Sequence, residues 1–159
     1  MRIHKLIASG LGTGYAPVAP GTAGSILGIL IFYFFNFTLE RIGIRQPLIL
    51  VLNLFAITLV VLVGVLSIKK VHQIWEHDAS KIVIDEIAGV WIAAFAIPLR
   101  WQYYLYALIL FRFFDIAKPL FIRKLDNLPG DWSVMLDDVL AGVHASIVLQ
   151  VALYLTDKM

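Results

Sequence analysis

The chain has 159 residues, of which 60% are hydrophobic and 15% charged, and its mean hydropathy is +0.86. Soluble domains carry charge on about a quarter of their residues, so this composition excludes an ordinary soluble fold and describes a single compact integral membrane domain over 1–159. A net charge of +2 is too small to argue for nucleic acid, and the absence of cysteine removes disulfides, thiolate nucleophiles and zinc–thiolate sites together.

The N-terminal Met1-Arg2-Ile3-His4-Lys5 has the charge of a signal peptide, but glycine and proline interrupt the following residues before an apolar region can form. Gly10 to Gly24 holds five glycines with Pro17 and Pro20, a composition for turns and irregular backbone. A helix is expected from Thr22 or Ser25, apolar from Ile26 to Leu39. Pro47 to Ile68 is the clearest span, with about the 20 residues that a bilayer core requires. Asn53 and Thr58 within it read as interhelical packing. The last span is Val139 to Leu155.

Ile87 to Ile97 and Trp101 to Phe111 are short, separated by Pro98-Leu99-Arg100, and they decide the topology. As one continuous helix they place the acids before and after them on opposite sides of the membrane. As a helical hairpin bent at Pro98, with Trp101, Tyr103, Tyr104 and Tyr106 as interfacial anchors, they place both sets on one side. On the hairpin scheme nine of the basic residues (Arg2, Lys5, Lys69, Lys70, Lys81, Arg112, Lys118, Arg123, Lys124) share the side of the acids, against Arg41, Arg45, Arg100 and Lys158. That asymmetry favours the hairpin and puts the acids at the cytoplasmic face. The expected fold is an all-α, compact polytopic membrane bundle of about five hydrophobic segments, with the N-terminus inside and the C-terminus outside; four continuous spans is the alternative.

Three acidic elements stand at the ends of the apolar runs. In His77-Asp78-Ala79-Ser80-Lys81-Ile82-Val83-Ile84-Asp85-Glu86, a helix would put Asp78, Lys81 and Asp85 on one face. Asp78 and Lys81 suit a surface pair, whereas Asp85-Glu86 enter an apolar segment, where ionisable groups are costly unless paired or functional. His77 beside Asp78 is the proton-transfer candidate. The second element runs from Arg112 through Asp115, Lys118 and Pro119 to Arg123, Lys124, Asp126 and Asp131, and its alternating signs also suit plain salt bridging. Asp137-Asp138 precede Val139, where one Asp would serve as a helix cap and two exceed that need. His144, on the face of Asp137, reads as a structural histidine bonded to a neighbouring helix.

An acidic, oxygen-only ligand set suits Mg²⁺, which commonly works with substrate phosphates, and Lys118, Arg123 and Lys124 would offset phosphate charge. Metal and cations at one anionic substrate is an arrangement for phosphoryl transfer. The segment Gly12 to Ser25 offers backbone amides at a helix start, an anion site, though it lacks the Gly-Lys-Ser/Thr of a P-loop and also suits tight helix packing.

These elements together resemble the bacterial phosphatidylglycerophosphatase A family, from about Gly10 to Gly142. The resemblance rests on Gly12-Thr13-Gly14-Tyr15-Ala16-Pro17-Val18-Ala19-Pro20-Gly21-Thr22-Ala23-Gly24-Ser25, His77-Asp78 with Ile82-Val83-Ile84-Asp85-Glu86, Arg112-Phe113-Phe114-Asp115-Ile116-Ala117-Lys118-Pro119 with Arg123, and Met135-Leu136-Asp137-Asp138. It implies a Mg²⁺-dependent inner-membrane phosphatase that converts phosphatidylglycerophosphate to phosphatidylglycerol in phospholipid biosynthesis. One departure is Pro129-Gly130-Asp131-Trp132-Ser133, where the family tends to carry paired glycines; Asp131 there is an extra outer acid or a bystander.

On this reading Asp85, Glu86, Asp137 and Asp138 hold the metal, and Asp115 and Asp78 complete or orient the shell. Lys118 and Arg123 bind the phosphate, Gly21 and Thr22 contribute at the substrate mouth, and the nucleophile is either water or an Asp carboxylate. Rival readings are a phosphatase for another lipid monophosphate, a transferase on CDP-linked lipids, whose spaced Asp-Gly-Ala-Arg pattern is absent, and a small transporter or ion-binding subunit. The last predicts acids at mid-span, whereas these cluster at span ends. A 17.8 kDa chain offers a limited core, which leaves room for a homodimer without indicating one.

Overall fold

The computed structural model describes residues 1–75, 79–119, 122 and 130–156. Among the described residues the regular structure is entirely helical. In chain order come α1 (Arg2–Ala8), a short 3-10 coil (Gly10–Tyr15), α2 (Pro20–Arg41), α3 (Gln46–Val71), α4 (Ile84–Ala93), α5 (Trp101–Ala117) and α6 (Ser133–Thr156).

α2 begins earlier than the glycine-rich composition suggests, because Pro20 takes the first helical position, where its missing N–H costs nothing. α3 uses Pro47 in the same way at its start and ends on Lys69 and Lys70, which suit the negative end of the helix dipole. Three helices, α2, α3 and α6, are long and apolar enough to cross a membrane, with only 28–33% of their apolar stretches buried inside the protein. The rest of their surface needs an apolar surrounding, which water does not provide.

Close approaches fix the directions. Gly21 lies against Glu86, Gly28 against Ile87 and Val90, and Gly142 against the carbonyl of Gly89, so α2, α4 and α6 run parallel from one end. The indole of Trp91 donates to the Gly28 carbonyl at 2.7 Å and its ring stacks on Phe32, locking α4 to α2. α5 runs back, with Lys118 at the starting end beside Asp137 and Tyr104 further along beside Phe32 and Tyr33. α3 returns beside α2, and Asn53 Nδ2 donates to Asn36 Oδ1 at 2.8 Å across that pair.

The expected hairpin is therefore present, with α4 and α5 joined through residues 94–100, and the continuous-helix alternative is not. Its turn contains Ala96 at φ 60°, a left-handed conformation that helices do not accommodate. Three local expectations fail. Tyr104 is not an interfacial anchor: with Ala107 and Phe111 it forms the buried face of α5. Lys81 shares no helix face with Asp85, because α4 starts only at Ile84, after Val83 at φ −142°, which is outside the helical range. Thr58 bridges no helices; its hydroxyl donates to the Leu54 carbonyl of its own helix at 2.8 Å.

Candidate active site

Three helices bring carboxylates to one end of the bundle. Val83 donates its N–H to the Ala8 carbonyl at 2.9 Å, which ties the entry of α4 to α1. Asp85 and Glu86 thus fall in the first turn of α4, where negative charge faces the positive end of the helix dipole. Asp85 Oδ1 accepts the Glu86 N–H at 3.1 Å. Asp137 and Asp138 do not cap a helix, contrary to the capping reading: α6 starts at Ser133, so both sit in its second turn and are buried.

On α5, Arg112 and Asp115 stand at i and i+3 and share a face, and Lys118 follows at the residue that ends the helix. Arg112 Nη1 donates to Asp115 Oδ2 at 2.6 Å and lies 3.9 Å from Glu86 Oε1. Lys118 ends α5 in a left-handed conformation (φ 42°, ψ 52°), and its Nζ donates to Asp137 Oδ2 at 2.8 Å. From α2 comes Gly21, whose missing side chain is what lets α2 approach: a Cβ there would overlap Glu86 Oε1 and come within 3.4 Å of Arg112 Nη1.

Asp85, Glu86 and Asp138 each present an oxygen within 4.8 Å of the other two. Glu86 Oε2 and Asp138 Oδ1 are buried with no hydrogen-bond partner among the described residues. A cavity of about 260 Å³ opens over them, walled by five carboxylates, those of Asp85, Glu86, Asp115, Asp137 and Asp138, and by the two cations Arg112 and Lys118. Buried charge without a counter-charge is strongly unfavourable, so this surplus of carboxylates calls for a cation. An all-oxygen set with unpaired buried lone pairs fits a metal ion.

Of the residues expected at the site, the structure gathers Asp85, Glu86, Asp115, Asp137, Asp138, Lys118 and Gly21 around one cavity. Asp137 faces Lys118, while the mutually close trio is Asp85, Glu86 and Asp138. Thr22 is half-buried one residue beyond Gly21 and does not line the cavity. His77, Asp78 and Arg123 lie outside the described residues, as do Lys124 and Asp126. Asp131 is neither an outer acid of the cluster nor a bystander: its Oδ1 pairs with His72 Nδ1 at 2.6 Å, tying the end of α3 to the approach to α6. Among the described residues His144 hydrogen-bonds to no neighbouring helix; its Nδ1 lies 2.8 Å from the Leu140 carbonyl of its own helix, and its ring packs on Phe114.

Arg112 is the participant that sequence reasoning treated as salt bridging. Its spacing to Asp115 and Lys118 was visible, but the same spacing makes ordinary surface pairs, and only burial between Glu86 and Asp115 separates the two cases.

The family model described as Phosphatidylglycerophosphatase A matches residues 6–153. The chain belongs to this family. A phosphatidylglycerophosphatase A of Haemophilus influenzae is 41% identical over 153 residues, covering 92% of this chain and 86% of that protein. The phosphatidylglycerophosphatase A of Escherichia coli K12 is 34% identical over 151 residues, covering 91% of this chain and 80% of the relative. A protein of Bacteroides thetaiotaomicron with the provisional name phosphatidylinositol-3-phosphatase is 41% identical over 150 residues, covering 92% of this chain and 91% of its own. No solved structure matches. The phosphatidylglycerophosphatase A family match extends over α2 to α5 and most of α6, so every described residue of the acidic cavity lies inside it.

Proposed function

We propose that this protein hydrolyses the terminal phosphomonoester of phosphatidylglycerophosphate to phosphatidylglycerol and inorganic phosphate, with Mg²⁺ as cofactor, at the cytoplasmic face of a bacterial inner membrane. The observation that carries this reading is the convergence of Asp85, Glu86 and Asp138 within 4.8 Å beside Arg112 and Lys118, in a chain of this family. The cytoplasmic placement rests on the excess of Lys and Arg at the acidic end.

Asp85, Glu86 and Asp138 are the residues that would hold the metal, which would neutralise their charge and polarise the phosphoryl oxygens. Lys118 and Arg112 are assigned the transferred phosphate, as N–H donors at the group where negative charge is redistributed. Asp137 and Asp115 are assigned to aim those two cations, which they contact at 2.8 and 2.6 Å. Asp115 also borders the cavity, from where it orients the shell. Gly21 and Thr22 bring the start of α2, with its free amides, to the cavity mouth, a favourable place for an anion. His77 is assigned proton transfer, Asp78 completes or orients the shell with Asp115, and Arg123 joins the phosphate cations. The nucleophile is water or an Asp carboxylate, and transfer of ¹⁸O from solvent in a single turnover distinguishes the two.

The deciding experiment measures phosphate release by detergent-purified protein from phosphatidylglycerophosphate, phosphatidic acid and phosphatidylinositol-3-phosphate, with Mg²⁺ and with excess EDTA. Mg²⁺-dependent release that prefers phosphatidylglycerophosphate supports the proposal. Preference for phosphatidylinositol-3-phosphate would move the substrate to that of the Bacteroides relative's name, and no release from any lipid would return the transporter or ion-binding reading.

A further inference from the structure

The end of the bundle remote from the acids carries a second polar cavity, of about 300 Å³, between the α2–α3 connection and the turn at 94–100. Its polar walls are Asn36, Glu40, Gln46, Asn53 and Tyr104, and no Lys, Arg or His lines it among the described residues. Asn36 and Asn53 are 5% and 3% exposed. Their amide nitrogens already donate within the protein, Asn36 to the Phe32 carbonyl at 2.9 Å and Asn53 to Asn36 at 2.8 Å. Asn53 Oδ1 is buried and has no hydrogen-bond partner among the described residues. Glu40 accepts from Gln46 at 2.8 Å and adds a carboxylate at the rim. A cavity with unused acceptors and a negative charge complements a cationic donor.

Beside it, between α2 and α5, lies a groove of about 450 Å³ walled almost wholly by apolar groups, among them Ile26, Leu30, Leu105 and Leu108. Tyr104 lines both, so the polar cavity and the apolar groove lie against the two sides of one residue. The groove runs along α2, a helix long and apolar enough to cross a membrane, so lipid chains are its natural occupants. Arg41 and Arg45, exposed at the α2–α3 connection, offer positive charge for a lipid phosphate at that end.

The geometry points to a binding site for an aminophospholipid of the leaflet opposite the acids, its primary ammonium in the polar cavity and one acyl chain in the α2–α5 groove. An ammonium brings three N–H donors to Asn53 Oδ1 and Glu40; a quaternary headgroup brings none. The site is independent of the catalytic reading, since none of its residues lines the acidic cavity.

Native mass spectrometry of the full chain in detergent, with phosphatidylethanolamine, phosphatidylcholine or phosphatidylglycerol of identical acyl chains added, tests it. Phosphatidylethanolamine is expected to be retained about tenfold more than phosphatidylcholine, the size of one charge-assisted hydrogen bond. Glu40→Gln, at an exposed position that folding tolerates, should reduce phosphatidylethanolamine to the phosphatidylcholine level. Leu105→Trp, on the lipid-facing wall, should lower retention of all three lipids by filling the groove. Equal retention of the three, preference for phosphatidylglycerol, or phosphatidylethanolamine retention unchanged by Glu40→Gln overturns the proposal.

Discussion

Lys118 Nζ meets Asp137 Oδ2 at 2.8 Å from a backbone held at φ 42°, so an ion pair between α5 and α6 is made by a residue whose own conformation favours glycine. A left-handed residue with a side chain costs about 1 kcal/mol, and such cost persists where surrounding contacts impose it.

Lys118→Gly separates strain from chemistry. Relief of the backbone offsets only part of the loss, because Asp137 is left buried without this counter-charge, so stability should fall by about 2–4 kcal/mol. kcat/KM should fall about 100-fold if the ammonium meets the phosphate. Thermal unfolding in detergent alongside steady-state phosphate release reads both; unchanged kcat/KM removes Lys118 from the substrate site.

Asp85→Asn and Asp138→Asn keep shape while removing one charge from a crowded cluster. Each should lower phosphate release at least about 1,000-fold without lowering the unfolding temperature of metal-free protein, because like-charge repulsion falls. On the proposed assignment Mg²⁺ should raise the unfolding temperature of the parent by binding only the folded state, and that rise should disappear in both. Retained activity in both variants would end the metal assignment.

Much of this site was legible before any coordinates. Charged residues cannot sit cheaply in an apolar run, so Asp85-Glu86 and Asp137-Asp138 stood out by position, and the hairpin followed from Pro98 and the distribution of basic residues. Partnership was not legible. That Asp137 turns to Lys118 while Asp138 turns to Asp85 and Glu86 depends on the crossing of α4 and α6, which neighbours in sequence cannot encode. Tyr104 was misplaced for a related reason: an aromatic near a span end suits either an interface or a core, and the buried row with Ala107 and Phe111 decides. The His72–Asp131 pair joins residues 59 positions apart, beyond any local pattern.

Two glycines of the same bundle should behave differently when given a methyl group. In Gly142→Ala the new carbon meets the Gly89 carbonyl, backbone that cannot swing aside, so α4 and α6 must separate at a cost of about 1–3 kcal/mol. In Gly21→Ala it meets the end of the Glu86 side chain, which can rotate. That variant should keep its unfolding temperature and lose most of its activity and Mg²⁺ affinity. A parallel loss of stability in both would show that Gly21 acts only in packing.

Asp131→Asn removes the partner of His72 at a site away from the acidic cavity. It should lower stability by about 1 kcal/mol and change kcat by less than about threefold. A loss of kcat comparable to that of Asp138→Asn would bring Asp131 back into the reaction.

The parallel course of α2, α4 and α6 gathers three helix starts at one pole of the molecule. Each carries a fraction of positive charge from its unpaired amides, permanently bonded into the chain. Part of the counter-charge to the acids is therefore installed by translation itself, before any ion arrives. On the proposed metal assignment the bundle would close before the ion binds, and loading with the cation would be a step of maturation rather than of folding.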